Sequence, residues 1–145
     1  MKAKTFIVGF FAAVAILAAV SFYFSRTIDK SDKTVSAIAS PDGKMKAIKV
    51  TLAGGGKSPF CFDNISIVLA VYPDSVVDRQ KAYEVYAAPC GKFATGAPSP
   101  KIEWLSNAAL QITTAAHPFA PNAKPIRTKN IDVTRSVHVT FLSLP

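Results

Sequence analysis

Cys61 and Cys90 are the only two cysteines in the chain, in the contexts Pro59-Phe60-Cys61-Phe62 and Ala88-Pro89-Cys90-Gly91, both of which read as loops. Their spacing excludes a CxxC metal or redox motif. In an exported domain such a pair forms one disulfide; in a cytosolic domain it is two free thiols. Closing a loop of about thirty residues stabilises a fold by about 3–4 kcal/mol in the chain-entropy picture. Gly54-Gly55-Gly56-Lys57-Ser58 ends like a phosphate-binding loop. That motif needs a glycine where this chain has Thr51 and a helix starting at Lys57, yet Pro59 and Phe60 follow. A flexible hairpin loop fits better.

The remaining candidates are thinly spread. His117 precedes Pro118, and His138 falls on the polar face of an alternating segment; with no carboxylates nearby they make no metal site. No serine or cysteine has a recognisable base partner. Asp74 and Asp78 flank a Ser75-Val76-Val77 turn and could act as acid and base, but turn and capping roles account for them equally. Asn64-Ile65-Ser66 is a glycosylation sequon, relevant only in a eukaryotic secretory route. No catalytic residue, metal ligand or cofactor is assigned. Three aromatic residues are candidates for contact with a partner: Trp104, the sole tryptophan, on an alternating strand where it more readily serves the core, and Phe93 and Phe119. The last two stand in proline-stiffened loops, FATGAPSP and FAPNAKP, which lose less entropy on docking.

Two regions must position these groups. Thr5 to Phe24 (TFIVGFFAAVAILAAVSFYF) is an uncharged run of twenty residues behind Met1-Lys2-Ala3-Lys4. That length suits one helical crossing of a bilayer, with Phe22-Tyr23-Phe24 as an interfacial belt. A cleaved signal peptide would have a shorter apolar run followed by small residues, not by this aromatic cluster. The expected organisation is an anchor over 1–25, a polar linker over 26–33 and a domain over 34–145. Lysines and arginines flank the span on both sides, so the positive-inside rule does not orient it. The cysteine pair favours a domain outside the cytoplasm, on a single-pass protein of the inner (cytoplasmic) membrane facing the periplasm. Gly9 and Ala13 are small residues at helical spacing that could let two such helices pack closely.

Behind the linker the period changes to two. Val35, Ala37 and Ala39 alternate into the turn Ser40-Pro41-Asp42-Gly43-Lys44, and Met45 to Leu52 returns with Ile48, Val50 and Leu52 on one face and Lys49 and Thr51 on an outward one. Ile65 to Tyr72 (ISIVLAVY) is apolar on both faces and predicts a central strand, with Leu69 and Val71 in the core. Ile48, Val50, Trp104, Leu110, Ile112, Val137, Val139 and Phe141 are expected against it. Tyr83 to Ala87, Lys101 to Leu105 with Leu110 to Thr114, and Arg127 to Val133 with Val137 to Leu142 supply further strands and two more hairpins. A short helical turn fits 75–81. The fold class is all-β: a small antiparallel sheet, sandwich or barrel.

The net charge of +8 comes from seventeen scattered Lys and Arg residues without a run of five like charges and without interleaved aromatics. A basic surface beside an anionic bilayer is expected, and no nucleic acid. SPDGK before an alternating strand, and IEWLSNAALQI later, resemble the strand-turn-strand grammar of TolB-type β-propeller blades. They also resemble that of small bacterial membrane-anchored proteins of unknown function. The resemblance covers about a third of the chain. One unrepeated blade cannot close a propeller, so it implies only a bacterial, anchored β domain and no activity. The functional expectation is a membrane-anchored interaction module with a protein partner in the envelope, such as an accessory subunit or an immunity-like protein. The alternative is a small envelope hydrolase or cell-wall-binding domain. A deep polar cleft uniting Asp74, Asp78 or His138 would favour the enzyme.

Overall fold

The computed structural model describes residues 14, 16–18, 32–55, 59–115 and 127–144. The chain divides after Lys30 into an N-terminal unit and a domain starting at Ser31. In the first unit residues 14 and 16–18 are helical. The rest of the expected Thr5 to Phe24 anchor lies outside the described residues. No helix among the described residues is long and apolar enough to cross a membrane.

The domain is built from strands in two main layers. β1 (Asp32–Ala39), β2 (Met45–Gly54), β3 (Phe60–Leu69), β4 (Glu84–Pro89) and β9 (Arg127–Thr128) form one sheet in that order. β10 (His138–Leu144), β8 (Ala109–Ala115) and β7 (Lys101–Ser106) form the second, again in that order. A small ribbon pairs β5 (Gly91–Lys92) with β6 (Pro98–Ser99). Between β3 and β4 lie a one-turn helix α1 (Val76–Arg79) and a 3-10 turn (Lys81–Tyr83).

The first hairpin forms as its sequence dictates. Gly43 takes φ +69°, a conformation glycine adopts without strain, and its N–H donates to the Ser40 carbonyl at 2.9 Å. The Ser40 hydroxyl donates to Asp42 at 2.8 Å, and the Lys44 N–H donates to the same oxygen at 3.2 Å. These two bonds, the hydroxyl first, hold the Asp42 carboxyl below its usual range.

Alternation along β2 and β3 sorts their side chains onto two faces. Met45, Ala47, Ile65 and Ile67 point inward against Leu110, Ile112, Val137 and Val139, and Ile102, Trp104 and Phe141 close the margin. Ile48, Val50 and Val68 take the opposite face, where Leu52, Val76, Val77 and Tyr83 cover them. The expected core residues are therefore all near β3, but Ile48 and Val50 serve the outer layer. At the bulge Ile65 pairs with Tyr86 and Ser66 with Glu84, so the extra residue Val85 joins Tyr86 in the inner core.

Four expectations need correction. The central strand stops at Leu69: the Ala70 N–H still bonds the Lys44 carbonyl in the β2 register, but β2 has no residue before Met45 and the Tyr72 N–H closes a turn on the Leu69 carbonyl. Leu69 is consequently 39% exposed and Val71 85% exposed, neither in the core. Thr51 does not face outward: it lies on the inner face and donates its hydroxyl to Asp63. The last two segments pair as a hairpin only at its tip, where Ile131 bridges His138 antiparallel and the Val139 N–H donates to the Asn130 carbonyl at 2.8 Å. β9 joins β4 in the first sheet, while β10 runs parallel to β8, with Phe141 opposite Ile112. That parallel pair makes the second sheet mixed. Finally, β1 begins at Asp32, inside the expected linker.

Candidate functional site

On the outer face of the five-stranded sheet the register brings together residues far apart in sequence. Val50 pairs with Asn64, and Ser66 with Glu84, so β2, β3 and β4 each place a side chain on this face. Lys33 reaches it from β1, and α1 with the turn after it adds Val77, Asp78 and Lys81 along one wall. The turn that starts α1 follows from Tyr72-Pro73: the Val76 N–H donates to the Pro73 carbonyl at 3.0 Å. Together these groups enclose a cleft of about 260 Å³.

The cleft has an apolar floor of Val50 and Leu52 beside Val77, and a rim on which both carboxylates are paired while Lys81 adds a further cation. Lys33 donates to both Asp78 oxygens at 2.5 and 2.6 Å, and Arg127 donates to Glu84 at 2.8 Å. Between floor and rim stand Asn64 and Ser66. The Asn64 Oδ1 is buried without a hydrogen-bond partner, the one such side-chain atom among the described residues. Leaving a buried acceptor unpaired costs about 1–3 kcal/mol, so it needs an explanation.

Asp63, the residue before Asn64, points the other way. It is 2% exposed, accepts the Thr51 hydroxyl and lies 3.5 Å from the Lys49 ammonium. Burial, followed by the charge of Asp63, pushes the Tyr86 phenol up to about 12. A raised phenol makes the folded state resist ionisation that the unfolded chain undergoes near pH 10. The contribution is thus complete below pH 10 and lost as pH rises towards 12. Tyr86→Phe should remove that part of the alkaline loss while changing stability little at pH 7, as paired urea titrations of variant and wild type at pH 7 and 11 would measure.

The residues singled out by sequence are dispersed. Asp74 pairs with Lys46 at 2.6 Å and Asp78 with Lys33, so the two carboxylates are held by separate lysines. His138 opens β10, exposed, in the other sheet. Gly54 ends β2 and β3 starts at Phe60 as a strand, not the helix a phosphate loop needs. Among the described residues no three His, Cys, Asp or Glu side chains gather as metal ligands. Cys61 lies in β3 and Cys90 just after β4, and they form a disulfide with a Cα separation of 5.3 Å.

Of the three aromatic candidates, Trp104 packs on the core margin and donates its indole N–H to the Ile38 carbonyl at 3.0 Å. Phe93 is half-buried rather than exposed, held by a tight loop in which its N–H donates to the Ala97 carbonyl at 2.9 Å. It lines a shallow hollow with Thr113 and Leu144, in a different place from the cleft. Phe119, like His117, lies outside the described residues. Sequence reasoning missed Asn64 and Glu84 as site residues. The available signal was the polar pair Asp63-Asn64 inside the otherwise apolar strand FCFDNISIVL. Comparison of the chain with models of protein families, with curated proteins and with solved structures finds no match.

Proposed function

We propose that the chain is an extracytoplasmic interaction module, tethered to the inner membrane by its N-terminal apolar segment, that receives a protein partner in the outer-face cleft. The observation carrying this reading is the unpaired Asn64 oxygen behind a cleft with an apolar floor, whose two carboxylates are already held by Lys33 and Arg127. Such a cleft suits an uncharged side chain with an apolar stem and an N–H or O–H donor at its tip, and its volume suits one residue. The disulfide supports an oxidising compartment. The separate pairing of Asp74 and Asp78 with lysines supports binding over hydrolysis, since neither carboxylate is placed to assist the other.

A residue kept for binding is kept at a cost in stability. Asn64→Leu fills similar volume and removes the orphaned acceptor, so the isolated protein should melt no lower than wild type. A photo-crosslinking residue at Leu52, on the cleft floor, should capture one discrete partner in native membranes, and Asn64→Leu should abolish that product. Capture that persists in the Asn64→Leu protein would overturn the assignment of the cleft.

A further inference from the structure

We infer that the open edge of β1 is the seam of a symmetric dimer, in which β1 of one copy pairs antiparallel with β1 of the second about Ser36.

β1 terminates the five-stranded sheet, and all eight of its residues are exposed. Its hydrogen-bonding sense follows from the hairpin. Ser40 donates its N–H to the Met45 carbonyl at 2.8 Å, and alternate residues back along the strand, Ile38, Ser36 and Thr34, share that orientation towards β2. Lys33, Val35, Ala37 and Ala39 therefore direct their backbone N–H and C=O groups away from β2. Among the described residues nothing pairs with them.

Edge strands are ordinarily protected by charge, proline, bulges or brevity. Thr34 to Ala39 (TVSAIA) has no charged residue, no proline and no glycine, and its pairing with β2 runs without a register shift. The strand is also fixed in place, with the Trp104 indole bonded to the Ile38 carbonyl and Lys33 bonded to Asp78. Such an edge is a preformed template for another strand.

The strand's own sequence selects a second copy as that occupant. Only one antiparallel register pairs all four outward-directed residues with one another, and it places Ser36 on the two-fold axis. Val35 then faces Ala37 of the other copy, and Lys33 faces Ala39, each pair exchanging two backbone hydrogen bonds. On the inner face Thr34 meets Ile38, and Asp32 meets Ser40. No like charges oppose one another: each copy's Asp32 and Lys33 fall together at one end of the seam, and those of the second copy at the other end. Val35 and Ile38, at 41% and 42% exposed, lose solvent. The axis is perpendicular to the sheet, so both outer-face clefts open on the same side.

The register makes a sharp test. Ser36 faces itself at a non-hydrogen-bonded position, where Cα atoms stand about 4.5 Å apart, within disulfide range. The full chain in detergent should sediment as a dimer. Ser36→Cys should oxidise to a linked dimer at least about tenfold faster than Leu105→Cys, which is exposed on β7. Ala37→Pro removes an outward N–H that β2 does not use, so the fold should survive and the dimer should fall to monomer. A monomeric wild type, equal oxidation of the two cysteine variants, or a dimer that survives Ala37→Pro would each overturn the proposal.

Discussion

Ile67→Asp should leave no folded domain, while Leu69→Asp, two residues along the same strand, should leave the domain intact. Ile67 is 0% exposed and lies in the inner core beside Ala47, Leu110 and Ile112. A carboxylate there would be buried among apolar side chains without a cation. The cost, about 5 kcal/mol or more, is comparable with the whole stability of a small domain. Leu69 is at the end of β3, 39% exposed, where a carboxylate stays hydrated. Its replacement should cost under about 1 kcal/mol. Circular dichroism and urea unfolding of the two variants measure the difference directly. Cooperative unfolding of the Ile67→Asp protein would place the core elsewhere.

Loss of the disulfide should have the next largest effect. The bridge joins β3 to the start of the β5–β6 ribbon across a sequence separation of 29. Releasing it frees that loop in the unfolded chain, a loss of about 3–4 kcal/mol. For a domain of this size the midpoint of thermal unfolding should fall by roughly 10–20 °C. The Cys61→Ser/Cys90→Ser double variant and the reduced wild type should show the same drop. The Cys90 N–H bond to the Cys61 carbonyl, at 3.1 Å, should keep the native arrangement once folded. The fold would then weaken without rearranging.

Much of this architecture is legible in the residues. Period-two patterning and the Ser40-Pro41-Asp42-Gly43 turn define the first hairpin, because only a strand period keeps Met45 and Ala47 on one face and Ile48 and Val50 on the other. Composition identifies β3 as central but not where it ends: Leu69 and Val71 are as apolar as Ile65 and Ile67. The stop comes where the partner strand β2 begins, at Met45 opposite Leu69, and the chain turns through the Tyr72 N–H bond to the Leu69 carbonyl. Strand pairing is less legible still. Nothing in Arg127-Thr128 says that it joins β4, or that β10 runs parallel to β8, since both choices depend on which edges remain open once the other strands are laid down.

The cleft was invisible for the same reason. Lys33, Asn64, Asp78 and Glu84 come together only through cross-strand register and the placement of α1. Read singly, each is an ordinary polar residue. Asp74 and Asp78 illustrate the converse, a suggestive spacing that the fold separates by giving each its own lysine.

The proposal that this disulfide-stapled β domain works outside the cytoplasm is tested most directly by the thiol state of Cys61 and Cys90 in intact cells. Alkylation with a mass-shifting maleimide under acid quench, before and after reduction, reports both cysteines in one measurement. The account predicts no modification before reduction and two additions after it. Two reactive thiols in the unreduced protein would contradict it.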